Sequence, residues 1–207
     1  MALTKYEDLT DIHLDVLKEI GNIGSGNAAA ALSSFINKNV EIQMPNVSIV
    51  PFQEAVNGSN GAESIVAGVL SRMIEGVEGI ILILMDKNFV NTISKVFFGE
   101  DVHSLMSLDE NISSALTEVG NIICGTYVSA IGQLTGIDIK LDAPRFQVDM
   151  TGALMSVPII EFGEVGDKIL YVDKNLIIDN QKMNAEVFLI PTVDSLGTMM
   201  TKLGIEV

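Results

Sequence analysis

The chain carries a single cysteine, Cys124, so no intramolecular disulfide can form. That fits a reducing compartment. Basic residues are also scarce: 12 Lys and Arg stand against 27 Asp and Glu, a formal net charge of −15. A phosphate backbone or an anionic membrane surface repels such a chain, and no cluster of Lys and Arg overrides the repulsion. Histidine occurs twice, at His13 and His103, in no arrangement with metal-ligand spacing. The longest aliphatic runs, such as Gly79 to Met85, fall far short of the ~20 residues that span a bilayer. Met1 to Asp11 is acidic and amphipathic, without a basic stretch followed by an apolar one, and so does not read as a signal peptide. These absences argue against a disulfide scaffold, a nucleic-acid binder, a membrane span and a metalloenzyme. They leave a cytoplasmic protein whose charge suits a partner with a basic patch, although charge alone favours plain solubility over that reading.

What is present is enough apolar material for a real core, 48% of residues, and no linker or low-complexity segment. The expectation is a single domain, 1–207. Comparing the chain with itself shows a duplication. Residues Leu17 to Gly26 lie over Leu116 to Gly125 at an offset of 99, with Leu17/Leu116, Glu19/Glu118, Gly21/Gly120, Asn22/Asn121, Ile23/Ile122 and Gly26/Gly125 identical. The same offset matches Leu9 with Leu108, Ala31 with Ala130 and Pro45 with Pro144. The two repeats run over about 8–99 and 107–205.

Each repeat opens with a helix. Asp8 and Ser107 are capping types, each followed three residues later by an acid, Asp11 or Glu110. Apolar residues recur at helical spacing (Ile12, Val16, Ile20, Ile23; Leu116, Val119, Ile123), to about Asn37 and Gly136. Alternating segments predict strands at Val40–Met44, Ile137–Leu141, Ser64–Leu70, Gly79–Met85, Ile169–Val172 and Glu186–Ile190. Shorter helices are predicted near Asn88–Phe98 and Asp194–Leu203, and a turn over Asn57–Gly61. The fold expected is α+β, an internally duplicated pseudo-two-fold domain with an antiparallel-type sheet and two long helices on one side.

The long helices carry the polar residues of interest. Asp15, Glu19, Asn22 and Gly26 are spaced so that ~100° per residue brings all four within about 60° of one another. Ser114, Glu118, Asn121 and Gly125 repeat the stripe. A solvated face explains one such pair; its retention in both copies amid divergence elsewhere favours a functional reading. Each glycine inside a helix costs ~1 kcal/mol relative to alanine. Close packing is one compensation, suited to Gly21 and Gly120. A surface kept bare for an approaching protein is another, and for Gly26 and Gly125 the two readings stand level. Asparagine does not titrate, so it is no general base. Its amide both donates and accepts, which suits holding a water in line with a phosphorus atom. A neighbouring glutamate can anchor a lysine or arginine of a partner.

The pattern Asp/Ser-x₃-Glu-x₂-Asn, followed by proline after 22 residues, resembles the signature of the CheC, CheX and FliY phosphatases. Asp15, Glu19, Asn22 and Pro45 fit it, and Ser114, Glu118, Asn121 and Pro144 fit it again. The resemblance implies a phosphatase of phosphorylated CheY, whose own site holds the aspartyl-phosphate and Mg²⁺, so that no cofactor belongs to this chain. It implies that Asn22 and Asn121 orient the hydrolytic water. It further implies that Glu19 and Glu118 pair with a basic residue of the regulator, with Asp15 and Ser114 in support. It also implies a second partner, the receptor deamidase CheD, with Val148-Asp149-Met150 similar to a docking segment for it. Two stripes in one chain permit a monomer.

Other readings are weaker. Gly24 to Ala29 has a G-x-G-x-x-A spacing, but it lies inside a helical pattern rather than after a strand, as a dinucleotide site requires. Cys124 has no histidine near it in sequence and reads as a small core residue. Ser25 and Ser114 lack a visible base. Met199 and Met200 read as core, with partner contact the alternative. The main rival function is a non-catalytic switch scaffold similar to the FliM middle domain, a family that resembles this fold and lacks the Glu–Asn stripes. FliY proteins carry further motor-binding segments, whereas this chain ends soon after its second repeat.

Overall fold

The computed structural model describes residues 3, 5–42, 46–57, 61–162, 168–173, 175–178 and 181–206. The two long helices are α1 (Asp11–Ile36) and α4 (Glu110–Thr135), and every boundary of one lies 99 residues from that of the other. Short 3-10 turns precede them at Tyr6–Asp8 and Leu105–Ser107, again 99 apart. The helices therefore start later than the expected caps. Asp8 and Ser107 close the 3-10 turns, and the N-caps are Thr10 and Asp109. Burial explains the shift: Tyr6 and Leu105 are driven into the core and hold the preceding turn out of the helix. The Asp109 carboxylate accepts from the N–H of Ile112 at 2.8 Å. At Thr10 the box is closed by His13, whose Nδ1 accepts from the Thr10 N–H at 3.0 Å. An N–H can only donate, so the ring proton sits on Nε2, 3.1 Å from the carbonyl oxygen of Glu206. Both helices end in the left-handed region, at Asn37 (φ 51°) and Gly136 (φ 70°).

The described strands are β1 (Val40–Ile42), β2 (Asn46–Pro51), β3 (Ile65–Glu75), β4 (Gly79–Met85), β5 (Lys140–Leu141), β6 (Arg145–Met150), β7 (Lys168–Asp173), β8 (Asn175–Ile178) and β9 (Gln181–Pro191). The remaining helices are α2 (Phe52–Asn57), α3 (Lys87–Phe98), α5 (Thr151–Phe162) and α6 (Val193–Lys202). All described pairings are antiparallel, and several cross between repeats: β3 pairs with β6, and β2 with β7. The central pair is β4 with β9, where Leu82 faces Phe188. N-caps Asp86 and Thr192 are 106 residues apart, as are Leu82 and Phe188. The pseudo-dyad therefore passes between those two side chains. The offset grows from 99 to 106 with the longer α5, twelve residues against six in α2, and with the break between β7 and β8.

Strand β4 is buried at all seven positions because the sheet is covered on both faces. Ile81, Ile83, Val69, Val187 and Leu189 share one cluster with Leu17, Ile20, Leu116, Val119 and Tyr127 of the long helices. Ile80, Leu82, Leu84, Phe188 and Ile190 form a second cluster with Val56, Leu154 and Met155. Each such aliphatic side chain contributes about 1.5–3 kcal/mol when taken out of water. The two long helices lie on one side, as expected, but α2 and α5 cover the opposite face, which the sequence reading left open. Helix α5 was hidden because its apolar residues spread round the helix without a one-sided rhythm, and because it carries Gly152 and Pro158. Strands β2, β6 and β8 were also unpredicted, and β5 covers only the end of the segment 137–141 expected there. Met199 and Met200 are fully buried, as core. The expected strand end at Met44 and most of the turn at Asn57–Gly61 lie outside the described residues, as does Pro45. No helix among the described residues is long and apolar enough to cross a membrane.

Candidate functional site

Helices α1 and α4 pack against each other and turn their polar stripes outward. On α1, Leu17, Ile20, Gly21, Gly24, Ser25 and Ala28 are buried, which leaves Asp15, Glu19, Asn22 and Gly26 exposed. On α4, Leu116, Val119, Gly120, Ile123 and Cys124 are buried; Ser114 and Glu118 are exposed, Asn121 and Gly125 half-buried. Asn22 is thus more open than Asn121.

The glycines divide by role. A Cβ on Gly120 would meet the Val69 side chain at 2.5 Å, and one on Gly24 would meet the Tyr127 ring at 2.9 Å. These two let the helix lie against β3 and let the two helices interlock, and the Tyr127 hydroxyl reaches the Ser25 hydroxyl at 3.2 Å. A Cβ on Gly26 or Gly125 would have nothing within 4 Å. No packing in the fold requires glycine there, and the surface beside each asparagine is bare.

Glu19, Asn22, Glu118 and Asn121 make no hydrogen bond or ion pair with any described residue. Their polar atoms face solvent with full capacity to bind. Asp15 differs: its Oδ1 accepts from Lys18 Nζ at 3.0 Å. Lys18 was not singled out in the sequence, though the signal was there, since the repeat places it over Thr117. Ser25 and Cys124 are buried and point away from the stripes. Burial pushes the Cys124 thiol up to about 12. A buried, protonated thiol is a poor nucleophile, in line with its reading as core.

Pro144 stands just before β6, between β5 and β6 and off the helix that carries the second stripe. Asp149 is also on β6, where it pairs with Val66. Its Oδ1 accepts from the Met150 N–H at 2.8 Å. It borders a cleft of about 310 Å³ together with Arg72, Arg145, Gln147, Leu154 and Val157. Leu70, Leu82 and Leu154 place that cleft on the α5 side of the sheet, the face away from both stripes. Within it Arg72 is committed: Nε donates to Glu161 Oε2 at 2.7 Å, a second guanidinium nitrogen pairs with the other oxygen, and Asp142 flanks it at 3.5 Å. No described group of three or more His, Cys, Asp and Glu is arranged to hold a metal.

The chain matches the CheC-like family over residues 12–49 and the chemotaxis phosphatase CheX over residues 68–157. It is similar to the CheY-P phosphatase CheC of Bacillus subtilis, 29% identical over 203 residues, which covers 96% of this chain and 97% of that one. Thermotoga maritima FliY superposes with a TM-score of 0.73 at 24% identity, over 95% of this chain and 98% of that one. The FliM middle domain from H. pylori shares the fold at 13% identity, with a TM-score of 0.68 over 94% of this chain and 99% of that one. Two exposed Glu–Asn stripes on duplicated helices, a fold shared with FliY, and end-to-end similarity to CheC converge on one likeness: the chain is similar to CheC, CheX and FliY.

Proposed function

We propose that this chain hydrolyses the aspartyl-phosphate of phosphorylated CheY, using both stripes as sites. The observation that carries the reading is that Glu19, Asn22, Glu118 and Asn121 stand outward in matching positions with no partner among the described residues. On docking, Asn22 or Asn121 enters the regulator's site and its amide holds a water in line with phosphorus. The water oxygen forms a new bond to phosphorus as the bond to the aspartyl oxygen breaks, releasing the free carboxylate and inorganic phosphate. Glu19 or Glu118 pairs with a basic group of the regulator. The Mg²⁺ that neutralises the phosphoryl oxygens belongs to the regulator, so this chain contributes position. A hundredfold acceleration needs only about 2.7 kcal/mol, within reach of positioning alone. Bare surface at Gly26 and Gly125 allows the regulator's backbone to approach.

CheD is the second partner in this reading. Asp149 and its cleft would receive it on the α5 face, leaving both stripes open to CheY. The protein acts as a monomer in the cytoplasm, in chemotactic adaptation. A switch scaffold is the second reading, favoured by the fold shared with the FliM middle domain. It leaves the paired stripes unexplained.

The test is the decay of phosphorylated CheY with wild type, Asn22→Ala, Asn121→Ala and the double variant. Faster decay with wild type, partial loss in each single variant and near-complete loss in the double are expected. Unchanged decay with wild type, even with CheD present, would reject the enzyme in favour of the scaffold.

A further inference from the structure

The two stripes are not equivalent, and the difference lies in how charge is placed. Lys18 is the one Lys or Arg on either long helix; its counterpart in the second repeat is Thr117. Its ion-pair partner Asp15 is matched by Ser114, so the cation and the acid beside it are present together in one copy and absent together in the other. Lys18 precedes Asn22 by four residues, which puts their Cβ atoms about 5–6 Å apart on one face. Side chains on a helix lean toward its N-terminus, so the Asn22 amide lies over the turn from which Lys18 rises. The Lys18 and Asp15 side chains are 52% and 72% exposed. An exposed pair of this kind adds little to the fold and is readily exchanged. Thr117, by contrast, donates its hydroxyl to the Ser113 carbonyl at 2.7 Å and is turned in on its own helix.

We propose that Lys18 is a positioning residue of the first stripe: it leaves Asp15 when the regulator docks and sets its ammonium beside the phosphoryl group held at Asn22. This rests on the phosphatase reading of the stripes. Charge in phosphoryl transfer spreads over the equatorial oxygens, and a preset cation stabilises it. Asp15 and Glu19 otherwise confront an anionic group with two negative charges, of which Lys18 offsets one. The second stripe, with Ser114 and Glu118, presents one negative charge and no cation. The two stripes then carry equal net charge, one cation against two carboxylates and one carboxylate alone, and they differ in the cation set beside Asn22.

Single-site proteins separate the effects. With Asn121→Ala, only the first stripe acts; with Asn22→Ala, only the second. Lys18→Thr should lower kcat/KM about threefold to tenfold in the Asn121→Ala protein. Lys18→Arg should retain most of the rate. In the Asn22→Ala protein Lys18→Thr should change nothing, and Thr117→Lys with Ser114→Asp should raise kcat/KM. An unchanged rate for Lys18→Thr in the Asn121→Ala protein overturns the inference while the phosphatase reading stands. Equal losses in both proteins also overturn it, by showing that Lys18 acts on the fold. If wild type does not speed decay at all, the phosphatase reading fails and this inference fails with it.

Discussion

Two glycines seven residues or fewer from the reactive positions should respond oppositely to the same change. Gly120→Ala forces a methyl against the branched Val69 side chain at 2.5 Å on a central strand, where neither can withdraw. A loss of about 1–3 kcal/mol is expected from the overpacking, read as a lowered denaturation midpoint. Gly26→Ala meets open space. It should stabilise the helix by up to ~1 kcal/mol and yet weaken regulator binding, an opposition that a purely structural glycine would not show. The sequence reading left Gly26 balanced between packing and access, because spacing along one helix cannot say which neighbour lies above it. Cys124 makes a second test at this scale. Burial pushes its thiol up, which disfavours the reactive thiolate at pH 8, and adds a steric barrier. A thiol reagent at pH 8 should leave the native protein unlabelled and react fully in denaturant. Rapid native labelling would contradict the buried placement.

Among the elements, the long helices were legible and α5 was not. The 3.6-residue rhythm and the internal repeat locate α1 and α4, whereas α5 shows no one-sided apolar rhythm and sits over a sheet face that becomes visible only once β3, β4 and β9 are paired. What ties α5 down is equally non-local: Glu161 takes the Arg72 guanidinium of β3, 89 residues away in sequence. The hydrogen bond from Arg72 holds the Glu161 carboxyl below its ordinary value. A depressed folded value stabilises the fold above the unfolded value of about 4.3, and that contribution disappears as pH falls through the folded one. Glu161→Gln should therefore cost about 0.5–1 kcal/mol at pH 7, with solvent screening included, and the difference from wild type should shrink under acid denaturation below about pH 4. A difference that persists unchanged at pH 2 would assign the effect to packing.

For the whole molecule, the crossing of strands between repeats matters more than the repeats themselves. Because β3 pairs with β6 and β2 with β7, each repeat leaves its sheet edges and half of its core to the other. The first repeat alone, 1–103, should therefore give no cooperative unfolding transition as a monomer, followed by circular dichroism in urea. A cooperatively folding monomeric half would show that the dyad is only a seam between independent units. The net charge of −15 acts at this scale too: under the proposed function it would draw in a basic partner over long distance and leave the geometry of contact to the stripes.

Duplication, helix length, the outward stripe and the absence of disulfides follow from the one-dimensional pattern, since they depend on residue type and on spacing within one element. The pairing of strands across the dyad, the helices on the second sheet face and the later start of α1 and α4 depend on contacts between distant segments. So does the division of the glycines into packed and bare. The polar stripes belong to both levels: periodicity put Glu19, Asn22, Glu118 and Asn121 on a common face, but only the tertiary structure decided that this face looks outward. It does so because burial of Leu17, Ile20, Leu116 and Val119 against the sheet leaves the opposite side of each helix nothing to face but solvent.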